Sequence, residues 1–346
     1  MGKVRMKRIR FAGAVALTLA LLLALSPVAA AAAEEEIDYG AILEDILGMF
    51  EIDPSEESGA RYEGDWSVAG DLGDEWLNVL LLGCDNRTLT RNGRTDSMIV
   101  LSYNASAQRA RLTSIMRDTW VHIEGHGDNK INAANVYGGP ELAMRTVNEC
   151  FGLNIERYVL INMIGLAQVI DQLGGVDVDI EQAELKYVNY FLGEYAKFLS
   201  ALPEEERVAA ERPTPLEDYG DGTRMTGAQA MSFARIRNLG DDYRRVERQQ
   251  AVLLSMARRF QEIGASAMPD AIRVFAECVE TNFTTAEFLN LAFDAIRFDL
   301  SDGGGIDRYR VPEDGTYESG NYDGVWSIRP DFDRNRGLIR AFIYGE

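Results

Sequence analysis

The chain has 346 residues, 46% of them hydrophobic and 26% charged, with a formal net charge of -20. That length allows one large domain or two small ones with a sizeable core, and the acidity argues against duplex nucleic acid, which needs a broad basic face. His122 and His126 are the only histidines, which argues against a multi-histidine zinc site or a Ser-His-Asp triad.

The amino terminus, MGKVRMKRIR, carries five basic residues and no acid, and the 23 residues from Phe11 to Ala33 are uncharged. Residues 1–33 are therefore a secretory signal or a membrane anchor. The apolar core Phe11–Leu25 and the Ser26-Pro27-alanine run suit a cleaved signal. The full stretch is also long enough to cross a bilayer. Both readings keep the basic end in the cytoplasm and export the rest. The exported part has 30 basic and 55 acidic residues, about -25. Residues 34–74 read as an acidic tether. Within it Ile42, Leu43, Ile46, Leu47 and Phe50 recur at helical spacing. Without basic flanks, that short helix suits packing on the domain better than an anionic membrane.

From Glu75 to Glu346 no domain boundary is visible. Trp76–Cys84, Ser97–Tyr103, Arg111–Met116 and Thr119–Ile123 read as strands. Gly138-Gly139-Pro140 opens a helix to Cys150. Tyr158–Asn162 is strand-like, Met163–Leu173 helical, and Val176–Ile180 a short strand. Residues 181–223 read as helix and loop. Thr226 and Gln229 form a capping box for a helix to Arg237. Arg244–Ile263 and Thr284–Ile296 are further helices, and short strands lead to a terminal helix around Arg334–Phe342. Strands and helices mix without strict alternation. The predicted fold is α/β of the mixed α+β kind, a central mixed β-sheet flanked by helices. Cys84, Cys150 and Cys278 have no metal spacing, and their odd number excludes a complete disulfide framework. One bridge or three buried thiols both remain open.

Three groups of residues could carry chemistry. Asp85 follows one predicted strand and Asp96 precedes the next, eleven positions on. A loop joining adjacent strands would put both carboxylates at one sheet edge. Two carboxylates with water and phosphate oxygens suit Mg²⁺, though aspartates at strand ends also simply form turns. Arg87 and Arg94 share that loop, and Arg117-Asp118 and Lys130 end later strands. They are surface ion pairs or a clamp on a metal-bound diphosphate. The third group is FARIRNLGDDYRRVERQQ, with Arg235, Arg237, Arg244, Arg245 and Arg248 within fourteen residues. Guanidinium forks grip phosphate oxygens in pairs. At helical spacing Arg245 and Arg248 share a face and Arg244 points elsewhere. Asp241 and Asp242 could serve only the helix dipole and pair with the arginines. Lysine is rare: Lys3, Lys7, Lys130, Lys186 and Lys197 are the only ones.

The motifs GCDNR, RTDSMIVLS, IMRDTWVHIEG, KINAAN, YGG, LGGVDVDI, MTGAQAMSFARIR and DDYRRVERQQ occur in this order. The sequence resembles the LytR–CpsA–Psr (LCP) family over roughly residues 77–260, more weakly through FTTAEFLNLA and the tail. The resemblance implies an extracytoplasmic, Mg²⁺-dependent phosphotransferase of Gram-positive envelopes. It would move teichoic acid, capsule or a similar glycopolymer from a polyprenyl-pyrophosphate carrier to peptidoglycan, at the membrane and with no nucleic acid partner. It implies metal-binding acids at Asp85 and Asp96. The pyrophosphate-facing cations would be Arg87, Arg94, Arg117, Lys130, Arg235, Arg237, Arg245 and Arg248. Asp242 would order the arginines, and Asp85 is also a candidate base. Phosphoryl transfer fits such a set, because it is mainly positioning and charge stabilisation. The carrier would need an apolar trough, for which Val159, Ile161, Ile164, Leu166 and Val169 are candidates, although core packing suits most of them better. The family usually has proline where Met116 stands. A pyrophosphohydrolase, or a non-catalytic lipid-phosphate binder acting as an envelope regulator, are the competing readings.

Overall fold

Leu77–Cys84 is apolar at nearly every position, as a strand covered on both faces must be, and it is the middle of the sheet. The computed structural model describes residues 66–73, 75–84, 93–201, 213–237, 239, 242–283, 287 and 306–345. Strands β1 (Leu77–Cys84), β2 (Thr95–Asn104), β3 (Arg109–Ile115), β6 (Arg157–Asn162), β9 (Val279–Thr281) and β10 (Ile306–Val311) form one mixed sheet in the order β10-β3-β2-β1-β6-β9. The β1–β2, β2–β3 and β6–β9 pairs are antiparallel, and β1–β6 and β3–β10 are parallel. Three hairpin-like pairs surround it: β4 (Trp120–Ile123) with β5 (Gly127–Lys130), β7 (Val176–Ile180) with β8 (Gly220–Met225), and β11 (Tyr317–Tyr322) with β12 (Val325–Pro330).

Helices cover both faces. One face packs on α1 (Ala134–Phe151) and α7 (Phe332–Tyr344), where Leu80, Met98 and Val100 join Val147, Ile339 and Ile343 in one apolar core. The other packs on α2 (Met163–Gln172), α3 (Gln182–Ala201), α4 (Gly227–Ala234), α5 (Asp242–Glu262) and α6 (Gly264–Cys278). There Val79, Ile99 and Leu101 meet Val169, Phe233, Val252 and Phe275. Successive β1 residues thus enter different cores, as the two-residue strand period requires. Helix α4 presses on α2 at Gly227, where a Cβ would lie 1.9 Å from the Ala167 carbonyl oxygen. Asp171 fixes the contact by accepting from Gly227 N at 2.6 Å.

The expected mixed α/β architecture is present. The capping box forms as expected: Gln229 N donates to Thr226 Oγ1 at 3.4 Å and Thr226 N to Gln229 Oε1 at 2.9 Å. The helix behind it is shorter than expected, ending at Ala234 with Arg235 as its cap. Helix α1 starts earlier, at Ala134, and carries the glycine pair as an internal kink, Gly139 having φ 72°. Strand β8 falls where only helix and loop were expected, and α6 was not anticipated because Pro269 masks its pattern. Of the helix expected over 284–296 only Glu287 is among the described residues, and residues 1–33 and most of the tether lie outside them. Its last part, 66–73, packs on the domain: Ala69 N donates to Leu153 O at 3.0 Å, and Arg340 holds Asp71 at 2.5 Å. Among the described residues no helix is long and apolar enough to cross a membrane. Cys84, Cys150 and Cys278 are unbridged thiols. Burial pushes Cys150 and Cys278 each up to about 12.

Candidate functional site

Strand geometry puts Asp96 at the second position of β2, beside the end of β1 and facing the loop that leaves β3. Its two oxygens meet two arginines from distant parts of the chain. Arg117 donates to Oδ1, and Arg237 Nη2 donates to Oδ2 at 2.7 Å. The charges continue outward. Arg117 Nε lies 3.5 Å from Asp118 Oδ2, and Lys130 Nζ donates to Asp118 Oδ1 at 2.6 Å. Arg237, Asp96, Arg117, Asp118 and Lys130 therefore form one row of alternating charge. Burial pushes the Asp96 carboxyl up, but the guanidiniums of Arg117, Arg237 and Arg245 outweigh it and hold the group below the usual carboxylate range.

The backbone at this edge is fixed from several sides. Met116 N donates to Val311 O at 2.9 Å, a bond that proline at this position could not make. The strand-to-loop turn is closed by Thr119, whose N and Oγ1 both donate to Met116 O. Arg94 is exposed and leans on Asn132 Oδ1 at 3.3 Å, and Asn135 Nδ2 binds Gly93 O at 2.8 Å.

The arginine segment divides by role. Arg235 is half-buried over the Phe191 ring, 5.7 Å from its centroid, and Arg237 is exposed and bound to Asp96. Arg245 and Arg248 share a helix face as expected, but that face is turned inward: they are 2% and 5% exposed. Arg245 lies close enough to act electrostatically on Asp96. Arg248 is bound to Glu184 Oε1 at 2.6 Å and donates to the carbonyls of Ile236 and Leu239, each at 3.2 Å. It braces the loop that presents Arg235 and Arg237. Arg244 points away, to Glu181 at 3.2 Å. Asp85, Arg87 and the side chain of Asp242 lie outside the described residues. Among the described residues no group of three or more His, Cys, Asp or Glu is placed to hold a metal.

Below this charged edge, between the sheet and helices α2, α4, α5 and α6, is a cavity of about 150 Å³. Leu81, Ile99, Val159, Ile161, Leu166 and Val252 are among its apolar walls, and Asp96 and Arg235 also border it. Of the five trough candidates, Val159, Ile161 and Leu166 line it. Val169 packs into the main core and Ile164 into a small cluster with Tyr195 and Met231. Sequence reasoning passed over Asp118 and Glu184 as site residues. Asp118 directly follows Arg117, which was a signal; Glu184 lies 64 positions from its partner and carried none.

The LytR_cpsA_psr family model matches residues 50–329 of this chain. A polyisoprenyl-teichoic acid–peptidoglycan teichoic acid transferase, TagU of Oceanobacillus iheyensis, is 45% identical over 113 residues, 31% of this chain and 35% of that one. This match therefore spans about a third of that relative's length. The regulatory protein MsrR of Staphylococcus aureus is 25% identical over 276 residues, 78% of this chain and 75% of that one. The crystal structure of B. subtilis TagV shares the fold with a TM-score of 0.57 at 24% identity, over 79% of this chain and 98% of that one. So does YwtF (TagT) with bound octaprenyl pyrophosphate, at 0.55 and 20%, over 83% and 95%. With the family model covering the sheet, the charged edge and the arginine segment, the chain belongs to the LytR_cpsA_psr family.

Proposed function

We propose that this chain is a cell-envelope transferase that moves a phosphate-linked glycopolymer from a polyprenyl-pyrophosphate carrier to a hydroxyl of peptidoglycan. The observation that carries this reading is the joining of two chemistries at one place. An apolar cavity opens beside Asp96 and Arg235, with Arg237, Arg117 and Lys130 next to them. That is the shape of an amphiphile with a hydrocarbon tail and an anionic head. The names of the TagU relative and of the YwtF (TagT) complex with octaprenyl pyrophosphate support it. The basic amino terminus followed by an uncharged stretch supports a location outside the cytoplasmic membrane, where such a lipid is presented.

In this mechanism Arg235 and Arg237, with Arg117 and Lys130, and Arg87 and Arg94 from the neighbouring loop, neutralise the diphosphate. Arg245 and Arg248 act from beneath, one as a buried charge and one as a brace. An acceptor hydroxyl attacks the phosphorus that bears the glycopolymer. The bond from that phosphorus to the bridging oxygen breaks, and polyprenyl phosphate leaves with the electron pair. The hydroxyl proton passes to water or to Asp85. Mg²⁺ belongs to this proposal: carboxylates are the hard oxygen donors it prefers. Each Asp96 oxygen keeps a lone pair beyond its guanidinium bond. Asp85 and Asp96 would hold the ion with diphosphate oxygens, and it would supply further charge neutralisation. Asp242 is assigned to ordering the arginines.

The test is transfer of labelled glycopolymer to peptidoglycan by Asp96→Ala and Arg237→Ala variants. Each loses a group that acts on developing charge, so each should lower the rate by about 10²–10³. Transfer that survives both changes removes the enzyme reading. It would leave the regulator reading that the name of MsrR, similar over 78% of this chain, favours. Release of free polymer phosphate in the absence of peptidoglycan would instead mark a hydrolase.

A further inference from the structure

We infer that helix α3 is the surface on which the domain meets the lipid bilayer, with its exposed lysine–tyrosine stripe at headgroup depth. The inference rests on the reading of the cavity as a site for a lipid diphosphate, and adds where the membrane lies relative to it.

Position comes first. Helix α3 does not itself line the cavity, but at two points it touches residues that do. Near its middle, Phe191 lies under the Arg235 guanidinium at the charged mouth. Towards its end, Phe198 and Leu199 pack with Met163 and Met231, which line the apolar wall. A bilayer lying against this helix would therefore sit beside Arg235 at the charged end of the cavity.

Chemistry comes second. The outward stripe of α3 holds Lys186, Tyr190, Gly193 and Lys197, all exposed. Tyr190 is 59% exposed, and the Lys197 side chain 78%. On the flank towards Arg235, Tyr187, Phe191 and Phe198 are half-buried. Tyrosine and lysine together are the residues of the membrane interface: an apolar body lies among acyl chains and a polar tip reaches headgroups and water. The choice of lysine is informative in this chain, where arginine is the habit. Two of its five lysines are in the basic amino terminus, one is Lys130, and the remaining two are both on this stripe.

Charge comes third. The chain carries -20 overall and is repelled by anionic lipid. On helix α3 two glutamates and two lysines cancel, but Glu184 is turned inward onto Arg248 and Glu194 is paired with Lys197 at 2.8 Å, which leaves the one positive charge of Lys186 on the exposed face. Tyr137, Tyr219, Tyr243 and, on the β11–β12 hairpin, Trp326 are also exposed among the described residues, but none of them lies on a helix that carries lysine. The chain between the uncharged stretch and residue 66 spans roughly 100 Å when extended, so the amino terminus leaves this orientation free.

The test uses the full chain in vesicles of phosphatidylglycerol and phosphatidylethanolamine. Two donors are compared: a long-chain polyprenyl-diphosphate glycan embedded in the vesicle, and the same glycan on a short, water-soluble prenyl diphosphate. With Lys186→Glu, Tyr190→Ser and Lys197→Glu combined, the rate on the embedded donor should fall roughly tenfold or more. The rate on the soluble donor should hold. An equal fall on both, or no fall on either, overturns the inference. A diazirine-bearing lipid gives a readout independent of turnover. It should label the peptide 182–201 in the natural chain and spare it in the variant, and labelling confined to the β11–β12 hairpin overturns the inference. If the natural chain transfers from neither donor, the proposed function fails, and lipid labelling alone decides the docking face.

Discussion

The two faces of the central sheet use the same kind of residue for different ends. Towards α1 and α7, Leu80, Met98, Val100, Met144, Val147 and Ile339 are buried in a filled core. Towards α2, α4, α5 and α6, Leu81, Ile99, Val159 and Ile161 border open space that runs up to Asp96 and Arg235. Leu80 and Leu81 are neighbours in sequence and leucines both, yet one stabilises the fold and the other shapes a binding site. A strand buried on both faces sends alternate side chains to opposite sides. What lies on each side then decides their use. The filled face contributes stability through close packing. The open face gives up part of that contribution and gains room for a ligand. Its polar fittings are correspondingly elaborate: the Glu184–Arg248 pair beneath the arginine loop, and the charged row from Arg237 to Lys130.

The comparison can be broken most directly at the filled face. Leu80→Ala should cost about 2–5 kcal/mol by denaturant unfolding, the usual range for a core leucine. Leu81→Ala, already beside open space, should cost clearly less, and equal losses would dissolve the distinction. The open face gives the next effect. Ala234 lines the cavity at the end of α4. Overpacking a filled core costs about 1–3 kcal/mol, but at Ala234→Phe the ring enters empty space. Stability should hold while affinity for a lipid diphosphate falls about tenfold, ~1.4 kcal/mol, as isothermal titration would show. Unchanged affinity would mean that the cavity is not the lipid site. The smallest effect is at the mouth. Asp96 has a lowered pKa, so its ion pairs stabilise the fold fully above the ordinary aspartate value near 4 and lose that contribution as the pH falls through the folded value. Asp96→Asn should therefore flatten the loss of stability below pH ~4. An acid-unfolding profile that the variant leaves unchanged would show the pairs to be absent in solution.

Much of the fold was legible from local pattern. The runs at β1, β2 and β6 announced covered strands, and Thr226 with Gln229 announced its helix start. Strands β5 and β8, GDNK and GDGTRM, carry no apolar alternation; they are strands because β4 and β7 offer them a partner. In the site, sequence marked the acids and arginines as one anion-binding set. It did not separate Arg237, which reaches Asp96, from Arg248, which lies 5% exposed against Glu184.

By itself the sequence determined the periodicities: which residues share a strand face or a helix stripe, and where a helix can begin. These depend on bonds and contacts between residues a few positions apart. The tertiary structure alone decided which stripe turns inward, which arginine meets a carboxylate 141 positions away, and where helix packing leaves a cavity. Those outcomes depend on how whole elements fit together, and a side chain's chemistry is the same whether its face turns to the core, the site or the solvent.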